Sequence, residues 1–183
     1  QLYGPEEVVP YNIAFRLFGY IIVIFGIITT PFWAAYNEAY NLNDFTWIVR
    51  VTNNLLKTWV FVTLGVLLLI GISGYIYHFW IGDQVIVPKS LSLFMGVFVI
   101  IQTINSIFAT FIFATGKLRV LTIMAVFVGI INIPLCFIFA KTFDFGTSGI
   151  IMSTAVCAFF NLIVGATQYY KIIKKQDKGI WSK

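Results

Sequence analysis

The stretch 58–82, TWVFVTLGVLLLIGISGYIYHFWIG, decides the fold class of this chain because it contains no charged side chain. A helix needs about 20 mostly apolar residues to cross the hydrocarbon core of a bilayer, and this stretch has that length and composition. Its apolar residues are continuous, whereas membrane β-strands alternate apolar and polar residues in short segments. We therefore predict a transmembrane helix over about 58–80.

Four further charge-free stretches of the same kind lie on either side of it. Together they predict five spans, over about 11–36, 58–80, 90–114, 119–140 and 147–170. The composition agrees, since 60% of the residues are hydrophobic and only 10% are charged, against about 25% in soluble domains. The mean hydropathy is +0.92. These values exclude soluble, disordered and disulfide-scaffold proteins, and they predict an all-α, polytopic bundle of transmembrane helices.

The distribution of Lys and Arg predicts the orientation. Five spans put the chain ends on opposite sides, with nine basic residues on the side of the C-terminus and three, Arg16, Lys89 and Lys141, on the other. By the positive-inside rule the C-terminal side is cytoplasmic. Because the chain starts outside, at Gln1 rather than Met, we expect a preceding part of the protein to be absent from this sequence.

Two segments outside the spans carry patterns of their own. In 44–57, Asp44 is a candidate helix cap, and apolar residues then repeat at helical spacing opposite Arg50 and Lys57. This predicts an amphipathic cytoplasmic helix, with an early start of the second span as the alternative. The tail 171–183 holds five Lys, which suit either a plain topology anchor or specific recognition of anionic lipids.

No catalytic constellation is present. His78 lacks partners at metal-ligand spacing and is interpreted as an interfacial side chain, so no metal is expected. Cys136 and Cys157 fall inside spans, where thiols behave as small apolar groups, so no disulfide is expected. A phosphate-binding glycine-rich loop is also missing. We therefore expect no cofactor and no enzymatic activity.

Polar residues inside the third and fourth spans are candidates for function, because an unsatisfied polar group in lipid is costly. Gln102, Asn105 and Ser106 share one face of the third span, as interhelical contacts or as a wall facing substrate. In the fourth span, Asn132 and Pro134 indicate a kink with an interhelical bond or a moving hinge.

Further candidates lie in the first and fifth spans. Pro31 in the first span is a further candidate for a hinge or a packing position. Arg16 either extends outward to the headgroups or points into an aqueous cavity. The fifth span has a stripe of mostly small residues at every fourth position, which forms either a packing seam or a cavity wall: Gly149, Ser153, Cys157, Asn161 and Gly165.

An ordered series of local motifs runs along nearly the whole chain: YGP (3–5), VPYNIA (9–14), TPFWAAYNEA (30–39), DFTW (44–47), WIG (80–82), ATGKLR (114–119), NIPL (132–135) and GTSG (146–149). With this series the chain resembles the second half of Wzx-type polysaccharide flippases. These transporters of lipid-linked oligosaccharides belong to the MOP superfamily, with the MATE drug exporters and the lipid II flippases.

The resemblance implies a two-lobed transporter with 12–14 helices. The five spans would then correspond to helices eight to twelve of a 12-helix protein, in its C-terminal lobe, with 1–8 as the end of helix seven. The implied activity is alternating access that moves undecaprenyl-pyrophosphate-linked glycan from the cytoplasmic to the periplasmic leaflet of the bacterial inner membrane. Cationic cavity residues attract the pyrophosphate in such families, and Arg16 has the matching character.

The implied partners are the lipid-linked glycan, membrane lipids, the N-terminal lobe and other glycan-assembly proteins, with no nucleic acid. Two other functions stay open. An ion-coupled, MATE-like multidrug exporter would need an intramembrane carboxylate, and the five charge-free stretches contain none. A membrane-embedded glycan-assembly enzyme would need sizeable loops with catalytic side chains, and the connections here are short.

Overall fold

The computed structural model describes residues 5–82, 85–143 and 145–182. Regular elements in these ranges are all helical: α1 (Pro5–Thr29), α2 (Phe32–Asn41), α3 (Phe45–Ile81), α4 (Lys89–Thr115), α5 (Arg119–Phe137) and α6 (Gly146–Ile173). A π-helical turn, Ile138–Thr142, continues α5, and a 3₁₀ turn, Gly179–Ser182, lies in the tail. Five helical segments are long and apolar enough to cross a membrane. The prediction of a five-span, all-helical membrane protein is confirmed.

The first span consists of two helices separated at Pro31. The candidate span runs over Val8–Asn41, and α1 gives way to α2 at Thr30 and Pro31. Proline has no N–H to continue the helical ladder, which explains the break. The Thr30 hydroxyl donates to the Gly26 carbonyl at 2.7 Å, so one carbonyl near the break has an extra partner. Residues 5–8 belong to α1, whereas the resemblance assigned 1–8 to the preceding helix; 1–4 lie outside the described ranges.

A tight turn joins α2 to α3. Asn43 has a φ of 58°, the left-handed conformation that closes helix ends and that Asn tolerates well. The next residue, Asp44, caps α3, because its carboxylate accepts a hydrogen bond from the Trp47 N–H at 2.9 Å. The predicted cap is confirmed.

The amphipathic stretch 44–57 is not a separate helix. It forms the first turns of α3, which continues unbroken to Ile81. Ile48 and Leu55 are buried in the bundle, while Arg50 and Lys57 are exposed, so the predicted two-sided pattern is present within one long helix.

Two helices, α4 and α6, form the centre of the bundle. In each of them, 39% of the residues in the most apolar stretch are buried. The corresponding share in α5 is 6%, so α5 lies at the periphery. The remaining helices pack on this pair, with α1, α2 and α3 against α4, and α5 against α6. The exposed apolar side chains of α3 and α5 are suited to contact lipid.

The tail turns back onto the bundle. Lys175 has a φ of 55° at the end of α6, and the Gln176 N–H bonds to the Lys171 carbonyl at 2.8 Å. Trp181 lies beyond this turn, and the centre of its ring is 3.9 Å from the Lys171 ammonium on α6. The basic tail is therefore a docked segment, at least to 182; Lys183 lies outside the described residues.

Candidate functional site

Two of the predicted polar residues, one on α4 and one on α5, contact α6 through their side-chain amides. The Asn105 amide on α4 donates to the Ala158 carbonyl at 2.9 Å. The Asn132 amide on α5 contacts the Cys157 sulfur at 3.5 Å. Since 157 and 158 are consecutive residues of α6, the two asparagines hold the three helices at one level of the bundle. In the structure both act as interhelical contacts.

The same level carries a small thiol and hydroxyl network. The Cys136 sulfur lies 2.8 Å from the Ser153 hydroxyl and 3.5 Å from the Asn132 side-chain oxygen. Both cysteines are free, with Cys157 buried and Cys136 half-buried. These contacts join α5 to α6.

The stripe of small residues on α6 changes its partner along the helix. At Gly149, an added Cβ would lie 2.6–2.7 Å from backbone atoms of Phe139 and Ala140, in the π-helical turn. At Gly165, an added Cβ would lie 3.8 Å from the Phe108 Cβ on α4, an ordinary contact. The first part of the stripe thus packs against α5 and its π-helical turn, through Gly149, Ser153 and Cys157. At the other end of the stripe, Gly165 packs against α4.

The π-helical turn lies four residues after Pro134. The Phe143 N–H bonds to the Ile138 carbonyl at 3.1 Å, which is the wider spacing of a π turn. Pro134 itself is exposed inside α5. The irregular backbone therefore sits at the end of the span, where it approaches α6 at Gly149.

Of the other predicted polar side chains, Gln102 and Asn161 have no hydrogen-bond partner among the described residues, whereas Ser106 has one. Ser106 bonds to the Thr103 carbonyl of its own helix at 2.7 Å. Gln102 on α4 and Asn161 on α6 are half-buried, and neither amide forms a hydrogen bond within the described part of the chain. These two amides are free to bind a ligand or another helix.

Arg16 lies on the outward side of α1. Its neighbours Ala14 and Phe18 are fully buried, whereas Arg16 is exposed and borders a groove of about 410 Å³ along the helix. Among the described residues, none forms a hydrogen bond or ion pair with its guanidinium. Asn12 and Tyr20 are also exposed, and they extend the polar stripe by one turn in each direction.

The sequence-predicted candidates therefore do not form one constellation. Asn105 and Asn132 point into the bundle at α6, and Arg16 faces away from it. The polar neighbours Asn12 and Tyr20 were not predicted as site residues, although their spacing of four residues from Arg16 is a signal that the sequence contains.

The end of α4 is completed by side chains of its neighbours. Gly116 ends the helix in the left-handed conformation, and the Asn37 amide donates to the Ala114 carbonyl at 2.7 Å. Gln168, which is fully buried on α6, donates to the Lys117 carbonyl at 2.8 Å. The Asn37 amide satisfies a carbonyl that the helix end leaves without a partner, and the Gln168 amide satisfies a carbonyl of the α4–α5 turn. Sequence reasoning missed Gln168, because a polar residue near a span end normally indicates the interface.

Lys117 links this turn to the tail. It pairs with Asp177, and its ammonium lies 5.2 Å from the centre of the Tyr40 ring. Burial lowers the pKa of Lys117, but hydrogen bonds with Asp177 and Tyr40 outweigh that effect and raise the pKa above its ordinary value. Lys117 therefore stays charged at neutral pH and can hold the tail on the α4–α5 turn.

Replacing Asp177 with Asn should loosen the tail with little loss of global stability. The pair is partly solvated, with side-chain exposures of 17% and 13%, so about 1 kcal/mol is expected at most. Limited trypsin digestion should cleave faster after Lys174 and Lys178. The double exchange Lys117→Asp and Asp177→Lys adds a trypsin site at position 177, so only cleavage after Lys174 is compared. That cleavage should slow again in the double exchange, and equal cleavage after Lys174 in all forms would contradict the role of the pair.

Within the described ranges, no three His, Cys, Asp or Glu side chains come together as a metal-binding group. Comparison with known protein families, with curated proteins and with solved structures gives no match to this chain.

Proposed function

We propose that this chain is part of a transporter that moves an undecaprenyl-pyrophosphate-linked oligosaccharide across the bacterial cytoplasmic membrane during surface polysaccharide assembly. The observation that carries the proposal is Arg16, an exposed guanidinium within a candidate span and without a protein partner among the described residues. An arginine at mid-bilayer costs about 2.5–3.5 kcal/mol on the insertion scale. Such residues mark substrate pathways unless they reach the headgroups.

The chemistry of Arg16 suits a pyrophosphate. Its planar guanidinium offers paired N–H donors that match two oxygens of one phosphate group, a geometry that Lys lacks. The exposed amide of Asn12 and phenol of Tyr20 supply further hydrogen bonds for phosphate or sugar oxygens. Phe15 and Val23 line the same groove and give its apolar part a surface suited to prenyl carbons.

The charge distribution supports the orientation on which the proposed direction of transport, from the cytoplasm, depends. The side with nine basic residues also holds the α2–α3 turn, the α4–α5 turn and the tail. Lys117 of the α4–α5 turn pairs there with Asp177 of the tail. With this side in the cytoplasm, Arg16 lies toward the periplasmic end of its span. We propose that a second lobe covers the exposed side of α1 and that alternating access occurs between the two lobes.

Arg16→Ala is expected to reduce transport about ten- to hundredfold, because a charge-assisted, bidentate contact contributes roughly 1.5–3 kcal/mol. Arg16→Lys should retain part of the activity, since lysine keeps the positive charge but lacks the paired N–H donors of the guanidinium. The measurement is the amount of surface glycan in cells that express each variant at the native level.

Arg50→Ala provides the matched control, because Arg50 is equally exposed but lies on α3 near the other end of the bundle. Its surface glycan should be normal. Normal glycan with Arg16→Ala would reject the role of this residue. A change in drug resistance with intact glycan would favour the ion-coupled exporter instead.

A further inference from the structure

A cavity of about 810 Å³ lies between the last turns of α3 and the first turn of α4, at the opposite end of the bundle from the tail. Glycines create part of this space. Gly71 and Gly74 line the cavity from α3, and a Cβ added at either position would meet no atom within 4 Å. The groove at Arg16 is lined by other residues, so the two sites are separate.

The wall of the cavity carries an unused hydrogen-bond donor. Tyr77 and Ser92 are both buried, and their hydroxyl oxygens lie 3.1 Å apart. Each hydroxyl has one hydrogen, and the hydrogen bond between the two hydroxyls uses only one of these two hydrogens. Neither hydroxyl bonds to a further residue in the described part of the chain. One hydrogen is therefore left for an acceptor, and a buried donor without one is unfavourable.

The described wall of the cavity carries a positive charge, because Lys89, the first residue of α4, contributes an ammonium to it. The α4 N-terminus has no side-chain cap, so the positive end of its dipole adds to the charge of Lys89. An acceptor with a negative charge satisfies both the spare hydroxyl and this end of the bundle.

We propose that this cavity binds the phosphate group of an anionic phospholipid. The phosphate contacts Lys89 and the spare hydroxyl of the Tyr77–Ser92 pair. One acyl chain lies along the apolar walls formed by Ile70 and Leu93.

A lipid fits better than a soluble phosphate because the cavity opens between two candidate membrane spans. Near it, Tyr75 is 82% exposed and Trp80 is 49% exposed, as expected for aromatic side chains at the headgroup level. In the predicted orientation this end meets the periplasmic leaflet.

The test uses the purified, delipidated protein and native mass spectrometry with phosphatidylglycerol. Diacylglycerol, which lacks the phosphate, is the ligand control and should not be retained. Lys89→Ala should weaken phosphatidylglycerol binding about tenfold, through loss of a charge-assisted contact. Gly74→Leu should also weaken binding, because its side chain enters open space in the cavity. Lys141→Ala removes an exposed charge at the same end but outside the cavity, and it should have no effect.

Each alternative result has a defined meaning. Equal retention by Lys89→Ala, Gly74→Leu and the unchanged protein overturns the proposal, as does an equal loss with Lys141→Ala, which indicates nonspecific attraction to charge. Inorganic phosphate alone provides the second arm, measured as a shift in melting temperature. A shift that depends on Lys89, without retention of phosphatidylglycerol, overturns the lipid as the source of the phosphate. The melting temperature of each variant also reports whether it is folded.

Discussion

Gly149→Ala should destabilise the bundle severely, although alanine is the better helix former. The added Cβ would lie 2.6–2.7 Å from backbone atoms of Phe139 and Ala140, and backbone cannot rotate away as a side chain can. Overpacking costs typically 1–3 kcal/mol, and a clash with backbone belongs at the upper end, about 3 kcal/mol. Gly149→Leu should be worse. The melting temperature in detergent and the yield of monodisperse protein measure both effects.

Gly165→Ala is the control, since Gly165 lies on the same helix and in the same stripe. There the added Cβ makes only an ordinary contact, at 3.8 Å from the Phe108 Cβ. Alanine should leave stability unchanged or raise it by about 0.5–1 kcal/mol through its helix propensity. An equal loss at both glycines would mean that close packing between α6 and the π-helical turn does not explain the effect.

The sequence predicted the stripe but not which of its members is critical. Spacing of small residues shows that helices approach closely, and it does not show where backbone meets backbone. That point depends on the π-helical turn Ile138–Thr142, which no local pattern in IFAKT indicates. Pro134 indicated an irregular helix, and the irregularity lies one turn further along the chain.

The five spans were predictable because apolar length is a local property of the sequence. The continuity of α3 was predicted only as the alternative, an early start of the second span, since Arg50 and Lys57 suggested a boundary with water. The residues themselves favour continuity, because the described helix contains no Pro and its first Gly is Gly65. Helix-breaking residues were thus the better indicator of helix ends than the charges were.

The sequence identified the candidate residues by their polarity and charge, but it did not identify their hydrogen-bond partners. Asn105 could contact either protein or substrate, and only its distance to the Ala158 carbonyl shows that it joins two helices. Gln168 donates to a carbonyl in the α4–α5 turn, far away in sequence. A single sequence does not show which helices are neighbours, so contacts of this kind were beyond prediction. Arg16 was identified because a charge within a span is rare.

Tyr36→Ala should cost about 3 kcal/mol of stability, in the range measured for truncation of large buried aromatic side chains. Tyr36 is fully buried where α2, α3 and α4 meet. Its ring packs edge-on against Phe111, with the ring centres 5.4 Å apart, and against Trp47 on α3. Its hydroxyl lies 2.8 Å from the Thr52 hydroxyl. Removing the ring leaves a cavity at the junction, because the three helices cannot all move inward to fill it.

Two substitutions separate the contributions at this junction. Tyr36→Phe keeps the ring and loses only the bond to Thr52, so about 1 kcal/mol is expected. Trp33→Ala, on the same helix, removes a ring that is 53% exposed, and it should change the free energy of unfolding by about 0.5 kcal/mol or less. Denaturant titration of the detergent-solubilised protein measures all three. If Tyr36→Ala cost no more than Trp33→Ala, α2 would be held by its chain connection to α3 rather than by the aromatic junction.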